Sequence, residues 1–413
     1  MVQFKPFRAL RPPPEKVQQV ASVPYDVVNS AEARSLAAGN PLSLLHVSRP
    51  EIDLPEGTDL YADEVYAKGA DNLERLIREC PMLTEESPSF YIYRQRMGEH
   101  VQTGIVGCCA VDDYDSDLIK KHEKTRKDKE DDRTRHILTL RAQTGPVFLT
   151  HRAATPVDRL VAELTRTVPL YDFVAPDGIA HTLWRIGNTD PVVAAFAALP
   201  CAYIADGHHR AASASRARAA LRENRGPAEL ESDWFLAVMF PSNQLKILPY
   251  NRVVKDLNGL TLATFLQHVE EAVGAKPKPW KAGPGDDPAP TRRGECRMYL
   301  EGRWFTLPLP APTGKGRDPI AWLDVSILMD HLLDPVLGIK DPRTDKRIDF
   351  VGGIRGTREL ARLVDGGGFR VAFAMFPTTV DELMDVADAG GLMPPKSTWF
   401  EPKLRSGLVI HRI

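Results

Sequence analysis

The sequence is poor in several features that usually announce a protein's class. Its five cysteines among 413 residues are Cys80, Cys108, Cys109, Cys201 and Cys296. They form no C-x-x-C pair and are odd in number, which excludes a disulfide framework and a cysteine zinc site and leads us to expect reduced thiols in a cytoplasmic protein. Long hydrophobic runs are missing. The longest, Pro191 to Ala205, is interrupted at Pro200 and stops at Asp206, too short and broken to span a bilayer. The N-terminus carries Lys5, Arg8 and Arg11 but no apolar stretch, so no secretory leader is expected. An excess of one charge is missing too. With 53 Lys+Arg against 55 Asp+Glu the formal net charge is −2, which disfavours a protein held on nucleic acid by phosphate contacts.

What is present reads as a globular chain. The 43% hydrophobic and 26% charged fractions exclude wholesale disorder. At roughly 100–200 residues per domain, two or three domains are expected. The composition shifts between Gly274 and Pro319, where Pro277, Pro279, Pro284, Pro288 and Pro290 sit with Gly283 and Gly285 in a stretch unsuited to regular structure. Pro308, Pro310, Pro312 and Gly314 make a second loop. These mark a proline-rich loop at 275–319 within the later part of the chain. The expected fold class is α+β.

Periodicity supplies the elements. Helices are expected at Ala31–Ala38, capped by Ser30, at Tyr61–Cys80, Pro156–Thr167, Asp324–Leu333 and Val380–Ala389. Strands are expected at Leu42–Val47, at Phe90–Tyr93 and Gln102–Val111 around a Met97-Gly98-Glu99 turn, and at Pro146–Leu149, Ala202–Ala205 and Arg370–Phe376. A hairpin is expected at Arg297–Glu301 and Trp304–Leu309. Lys120 to Arg133 contains no apolar residue, so it is an exposed helix or loop, or one lining a polar site.

The sharpest chemical signal is Ile204-Ala205-Asp206-Gly207-His208-His209-Arg210, an apolar strand that runs through Asp-Gly into an Ala-rich helix. Asp206 is placed to cap the first turn, and Gly207 admits close backbone approach. A helix start offers free N–H groups and partial positive charge, and His208, His209 and Arg210 add donors, so the segment suits phosphate. The alternative is a structural capped helix whose Arg210 meets a carboxylate. Adjacent histidines on a helix diverge by about 100°, and no His-x-x-x-His pair exists, so a permanent transition-metal site is not expected even with His46, His122 or Asp206 nearby. Mg²⁺ accompanying a nucleotide, with Asp206 among its ligands, is the expected metal.

Two further segments carry charge of both signs. Lys121, His122, Glu123, Thr125 and Arg126 offer cations for phosphate and a carboxylate for a proton or metal, although such runs are usually solvated helix faces. Val23-Pro24-Tyr25-Asp26 sets a carboxylate beside an aromatic pocket wall, or forms a simple turn. Gly352, Gly353 and Gly356 lack the Lys-Ser/Thr ending of a P-loop. Lys396 and Lys403 lie in a terminal segment that either docks cations at the site or caps a core.

The DGHHR box, with VPYDVV (Val23–Val28), IKKHEKT (Ile119–Thr125) and MPPKSTWFEPKLRSGL (Met393–Leu408), resembles the domain-of-unknown-function 1015 family along essentially the whole chain. The box is similar to the phosphate-binding box of the ParB/sulfiredoxin superfamily, in the form found in free-serine kinases. The resemblance implies a ParB/sulfiredoxin-like nucleotide-binding region at residues 1–245 followed by a C-terminal α/β region at 246–413. It also implies a kinase that moves a phosphoryl group from ATP or ADP to L-serine or a similar hydroxylated metabolite, with Mg²⁺. The implied phosphate ligands are Gly207, His208, His209, Arg210, Lys121 and Thr125, and the implied catalytic groups are Asp206, Asp26, Glu123 and His122. Asp26 is the positional match for the early carboxylate base, and Glu32 is the fallback. The sulfiredoxin branch has a cysteine where this chain has histidine, so thiol chemistry is not expected. The rival functions are a ParB-like nucleotide-sensing regulator with a protein or DNA partner, and a metal-dependent hydrolase.

Overall fold

The computed structural model describes residues 1–223, 228–281, 283, 286–311 and 318–413. Pro284, Gly285, Pro312 and Gly314, read above as loop residues, lie outside the described residues. The chain is of mixed α and β type and divides into two compact units, Met1–Leu245 with Pro402–Ile413, and Lys246–Glu401. The last residues, expected with the second region, thus belong to the first. They are bound there by ladders and bridges: His411 opposite Gln143, Ile410 opposite Leu10, and Ser406 opposite Ser22.

The first unit is organised by a nine-stranded sheet. Across it run Ile119–Lys120, Ala202–Asp206, Val147–His151, Trp234–Pro241, His100–Ala110, Phe90–Met97, Ala180–Ile186 and Tyr171–Val174, with Phe4–Lys5 also on His100–Ala110. Two pairings are parallel, Ala202–Asp206 with Ile119–Lys120 and Trp234–Pro241 with Val147–His151. Ala202, Tyr203, Ile204 and Ala205 are all buried, as a strand covered on both faces requires. The helix His208–Arg222 follows at once. Ala211 and Ala214 belong to the sheet's hydrophobic core, their small side chains letting the helix lie close. On another side Ser213 Oγ donates to the Glu130 carbonyl at 3.2 Å, and Arg216 pairs with Asp131 at 2.5 Å, which ties this helix to Lys127–Leu140.

The helix Asp63–Glu79 forms where expected, with Leu73 and Leu76 in a second core beside Val47 and Leu140. Three local expectations need correction. Leu42–Val47 is not a strand, since residues Leu45–Ser48 are helical. The Ser43 N–H bonds to the Asn40 carbonyl, and Ser43 Oγ accepts from Leu45 N, so turn chemistry overrides a short apolar run. The helix Ser30–Ala37 is capped by Asn29, not Ser30, in a reciprocal box with Glu32. The helix expected at Asp324–Leu333 is α-helical only to Leu328 and widens to a π turn over Met329–Leu333.

The second unit carries a six-stranded sheet with every pairing antiparallel, in the order Lys278–Pro279, Arg303–Pro308, Glu295–Leu300, Val371–Met375, Tyr250–Val254, Ile348–Gly352. Lys278–Pro279 is an edge strand inside the stretch read as irregular, and the edge is where a sheet tolerates proline. Among the described residues no helix is long and apolar enough to cross a membrane.

Candidate active site

The site is assembled at the end of the Ala202–Asp206 strand. Gly207 makes the turn with φ 93°, in the left-handed region that favours glycine, and is itself the N-cap of the following helix with no side-chain cap bond. Asp206 therefore does not cap the helix. Its Oδ1 accepts from Gly207 N at 2.9 Å, and its Oδ2 pairs with Lys403 Nζ at 3.0 Å. Burial opposes the charge on this carboxylate, but Lys403 and Arg210 outweigh it and hold the pKa well below the ordinary carboxylate range. Each oxygen already holds a donor, so the arrangement fits Mg²⁺ at Asp206 poorly and suits a carboxylate that gathers cations.

Arg210 lies across the helix start. A Cβ at Gly207 would lie 3.0 Å from Arg210 Nε, so a side chain there would press on the guanidinium in addition to straining the backbone. The guanidinium donates to the Pro146 carbonyl and faces Asp26, Nη2 to Oδ2 at 3.8 Å. Its Nε is buried without a partner. Such an orphan donor beside open helix N–H groups calls for an anion.

The two histidines diverge as a helix requires. His209 turns to the neighbouring segment, where its Nε2 accepts from Arg126 N at 3.1 Å. Burial lowers its pKa, so it is a neutral acceptor. His208 turns inward against His122, with ring centroids 4.4 Å apart at 87°. Burial pushes His122 down to about 4, against a weaker upward pull from Asp206 and the Ile204 carbonyl, and it drives His208 well below its ordinary value with the help of His122. Both rings are neutral near pH 7.

The polar segment from Lys120 is divided in its loyalties. His122, Glu123 and His208 each place one ligand-type atom within 4.8 Å of the others. Lys121 instead pairs with Asp117 at 2.6 Å over the Tyr114 ring, and Thr125 donates to Glu130. Neither of these two expected phosphate ligands joins the cluster at Asp206. Glu32, the fallback base, is spent on the Asn29 cap.

Behind Arg210 lies a cavity lined by Tyr25, Ser48, Arg133, Gln143, Thr144 and Ser406, among others. The Arg133 guanidinium stacks 4.2 Å over the Tyr25 ring and bonds Asp132 at 2.9 Å. Gly145 closes the wall, where a Cβ would come 2.7 Å from Ser406 Oγ. Sequence reasoning reached Tyr25 as a pocket wall and Lys403 as a docked cation. It missed Arg133, Ser48 and Gln143, because no local pattern separates them from surface or core polar residues.

Residues 4–326 match the model of a family described as protein of unknown function (DUF1015). The chain belongs to that family. No curated protein matches the sequence. Among solved structures, a free serine kinase mutant in complex with AMP is 13% identical, with 71% of this chain and 90% of that one covered and a TM-score of 0.34. Another free serine kinase mutant, in complex with ADP, is 15% identical, with coverages of 75% and 94% and a TM-score of 0.34. SbnI with C-terminal truncation, from Staphylococcus aureus, is 12% identical, with coverages of 73% and 87% and a TM-score of 0.36. These likenesses are too slight to argue from, and the reading of the site rests on its own side chains.

Proposed function

We propose that the protein is a small-molecule kinase that transfers a phosphoryl group from ATP or ADP to the hydroxyl of free L-serine or a similar hydroxylated metabolite. The observation that carries this reading is the unfinished anion site at Gly207–Arg210, with open helix N–H groups, a buried Arg210 Nε without an acceptor, and Lys403 held alongside by Asp206. In this reading the first region is ParB/sulfiredoxin-like, its strand, glycine turn and helix receiving the nucleotide phosphates.

The acceptor would occupy the cavity beside Arg210, its carboxylate facing the Arg133 guanidinium, which already holds Asp132 and the Ser48 carbonyl and would share its remaining N–H groups. Its hydroxyl oxygen attacks the terminal phosphorus, and the bond to the bridging oxygen breaks to release ADP from ATP or AMP from ADP. The hydroxyl proton passes to Asp26, which faces the same guanidinium. Arg210 and Lys403 steady the charge on the phosphoryl oxygens. Most of the rate gain is then positioning and charge stabilisation.

The test is to incubate the pure protein with ATP or ADP, Mg²⁺ and L-serine and to look for O-phosphoserine. Asp26→Asn should slow turnover by about 10²–10⁴-fold with nucleotide affinity little changed, as removal of a general base does. Absence of product with either donor, and with homoserine and threonine as well, overturns the reading. Tight nucleotide binding without transfer would point to the nucleotide-sensing alternative.

A further inference from the structure

We propose that His122, Glu123 and His208 form a binding site for one first-row transition-metal dication, with two imidazole ligands and one carboxylate. The sequence alone argued against such a site, because His208 and His209 cannot converge on one ion. The fold supplies the missing partner from the Ile119–Thr125 segment: one ligand-type atom of each of His122, Glu123 and His208 lies within 4.8 Å of the others.

A second observation points to a ligand independently. His122 is 2% exposed, and neither of its ring nitrogens makes a well-formed hydrogen bond, the Ile204 carbonyl being close to the ring without completing one. A buried imidazole without a well-formed hydrogen bond is a costly arrangement that an ion would repair. His208 is 5% exposed, and its Nε2 turns its lone pair toward the His122 backbone N–H at 3.5 Å, the outer limit of a hydrogen bond. Glu123 is exposed, so an ion can enter from its side. Two nitrogens and one oxygen suit Zn²⁺, Co²⁺ or Mn²⁺, whereas Mg²⁺ takes oxygen ligands.

Three protein ligands leave coordination positions open. The cluster includes the first residue of the helix that begins at Gly207, so those positions would meet the terminal phosphate oxygens of a nucleotide. That last role rests on the kinase reading, while the binding of the metal does not.

The experiment uses the full chain stripped with a chelator and titrated with Co²⁺, read by visible d–d absorption. Calorimetry with Zn²⁺, Mn²⁺ and Mg²⁺ runs alongside. One equivalent of Co²⁺ should bind with a ligand-field spectrum showing nitrogen ligation, and Zn²⁺ should displace it while Mg²⁺ in excess does not. His122→Ala, His208→Ala and Glu123→Gln should each weaken Co²⁺ binding by at least about tenfold, and His46→Ala, at a histidine paired with Asp53, should not. Glu123→Gln changes an exposed position, and the wild-type spectrum needs no variant, so misfolding of the buried-site variants cannot decide the result. Absence of stoichiometric Co²⁺ uptake, equal competition by Mg²⁺, or unchanged affinity in the variants overturns the site. ATP and ADP binding measured in chelator separates the two readings. Nucleotide bound without Co²⁺ uptake defeats the metal site alone, and Co²⁺ uptake without nucleotide binding defeats the kinase alone.

Discussion

At Asp206 a carboxylate that would resist burial is kept ionised by Lys403 and Arg210, and in return it holds both cations at the helix start. Lys403→Met removes the nearer cation and leaves Asp206 under-compensated. The expected cost at pH 7 is about 1–3 kcal/mol, read by chemical denaturation. Because the folded pKa of Asp206 is depressed, this contribution is complete above its ordinary value of 3.8 and is lost as pH falls through the depressed value. The difference between wild type and variant should therefore shrink in acid, and a difference that grows there would contradict the pairing. Gly207→Ala meets both a left-handed backbone and the Arg210 guanidinium. It should lose about 1–2 kcal/mol of stability and most of the ATP affinity, measured by calorimetry.

Helix ends show how local chemistry decides an element and frees or commits its residues. The Asn29–Glu32 box satisfies the first turn of Ser30–Ala37, so Asn29→Ala should lower stability by about 1 kcal/mol. On the kinase reading, Glu32→Gln should leave serine phosphorylation at the wild-type rate, in contrast to Asp26→Asn. If Glu32→Gln abolishes turnover, the assignment of the base is wrong. At the start of Asp324–Leu328, the helix dipole favours an anion, yet burial wins and raises Asp324 to about 6 despite the N–H of Gly294 at 3.0 Å. Here the folded pKa exceeds the unfolded one, so the penalty is absent below about pH 4 and complete above about 6. Asp324→Asn should stabilise the protein by about 1–2 kcal/mol at pH 7.5, with the gain fading as pH falls to 4 in denaturant titrations. A gain independent of pH would remove the ionisation as its cause.

For the whole molecule, the decisive feature is the return of the terminus. Leu404, Leu408, Val409 and Ile410 are all buried, and at about 1.5–3 kcal/mol for each side chain their burial is worth about 6–12 kcal/mol, comparable with the entire stability of a domain. A chain ending at Glu401 should lose cooperative unfolding of its first unit and all ATP binding, seen by calorimetric melting and titration. Retention of both would show that the last segment is dispensable. A division near residue 245 could be expected from the family resemblance. The return of Pro402–Ile413 could not, because ladder partners such as Gln143 and His411 are distant in sequence and carry no mark of each other.

The amino-acid sequence by itself determined the long amphipathic helix, the hairpins and the DGHHR box, since these follow from residue type, short-range period and turn chemistry. It also marked Asp26 and Lys403 as candidates through short motifs. Only the tertiary structure decided which residues of the Lys120–Arg133 run lie against the DGHHR helix start and which find partners elsewhere. Lys121 and Thr125 find local partners, while His122 is buried against His208. A run without apolar residues looks uniformly solvated because periodicity registers hydrophobic faces alone. A histidine enters a core when a neighbouring element offers it a place, and that is a property of the fold.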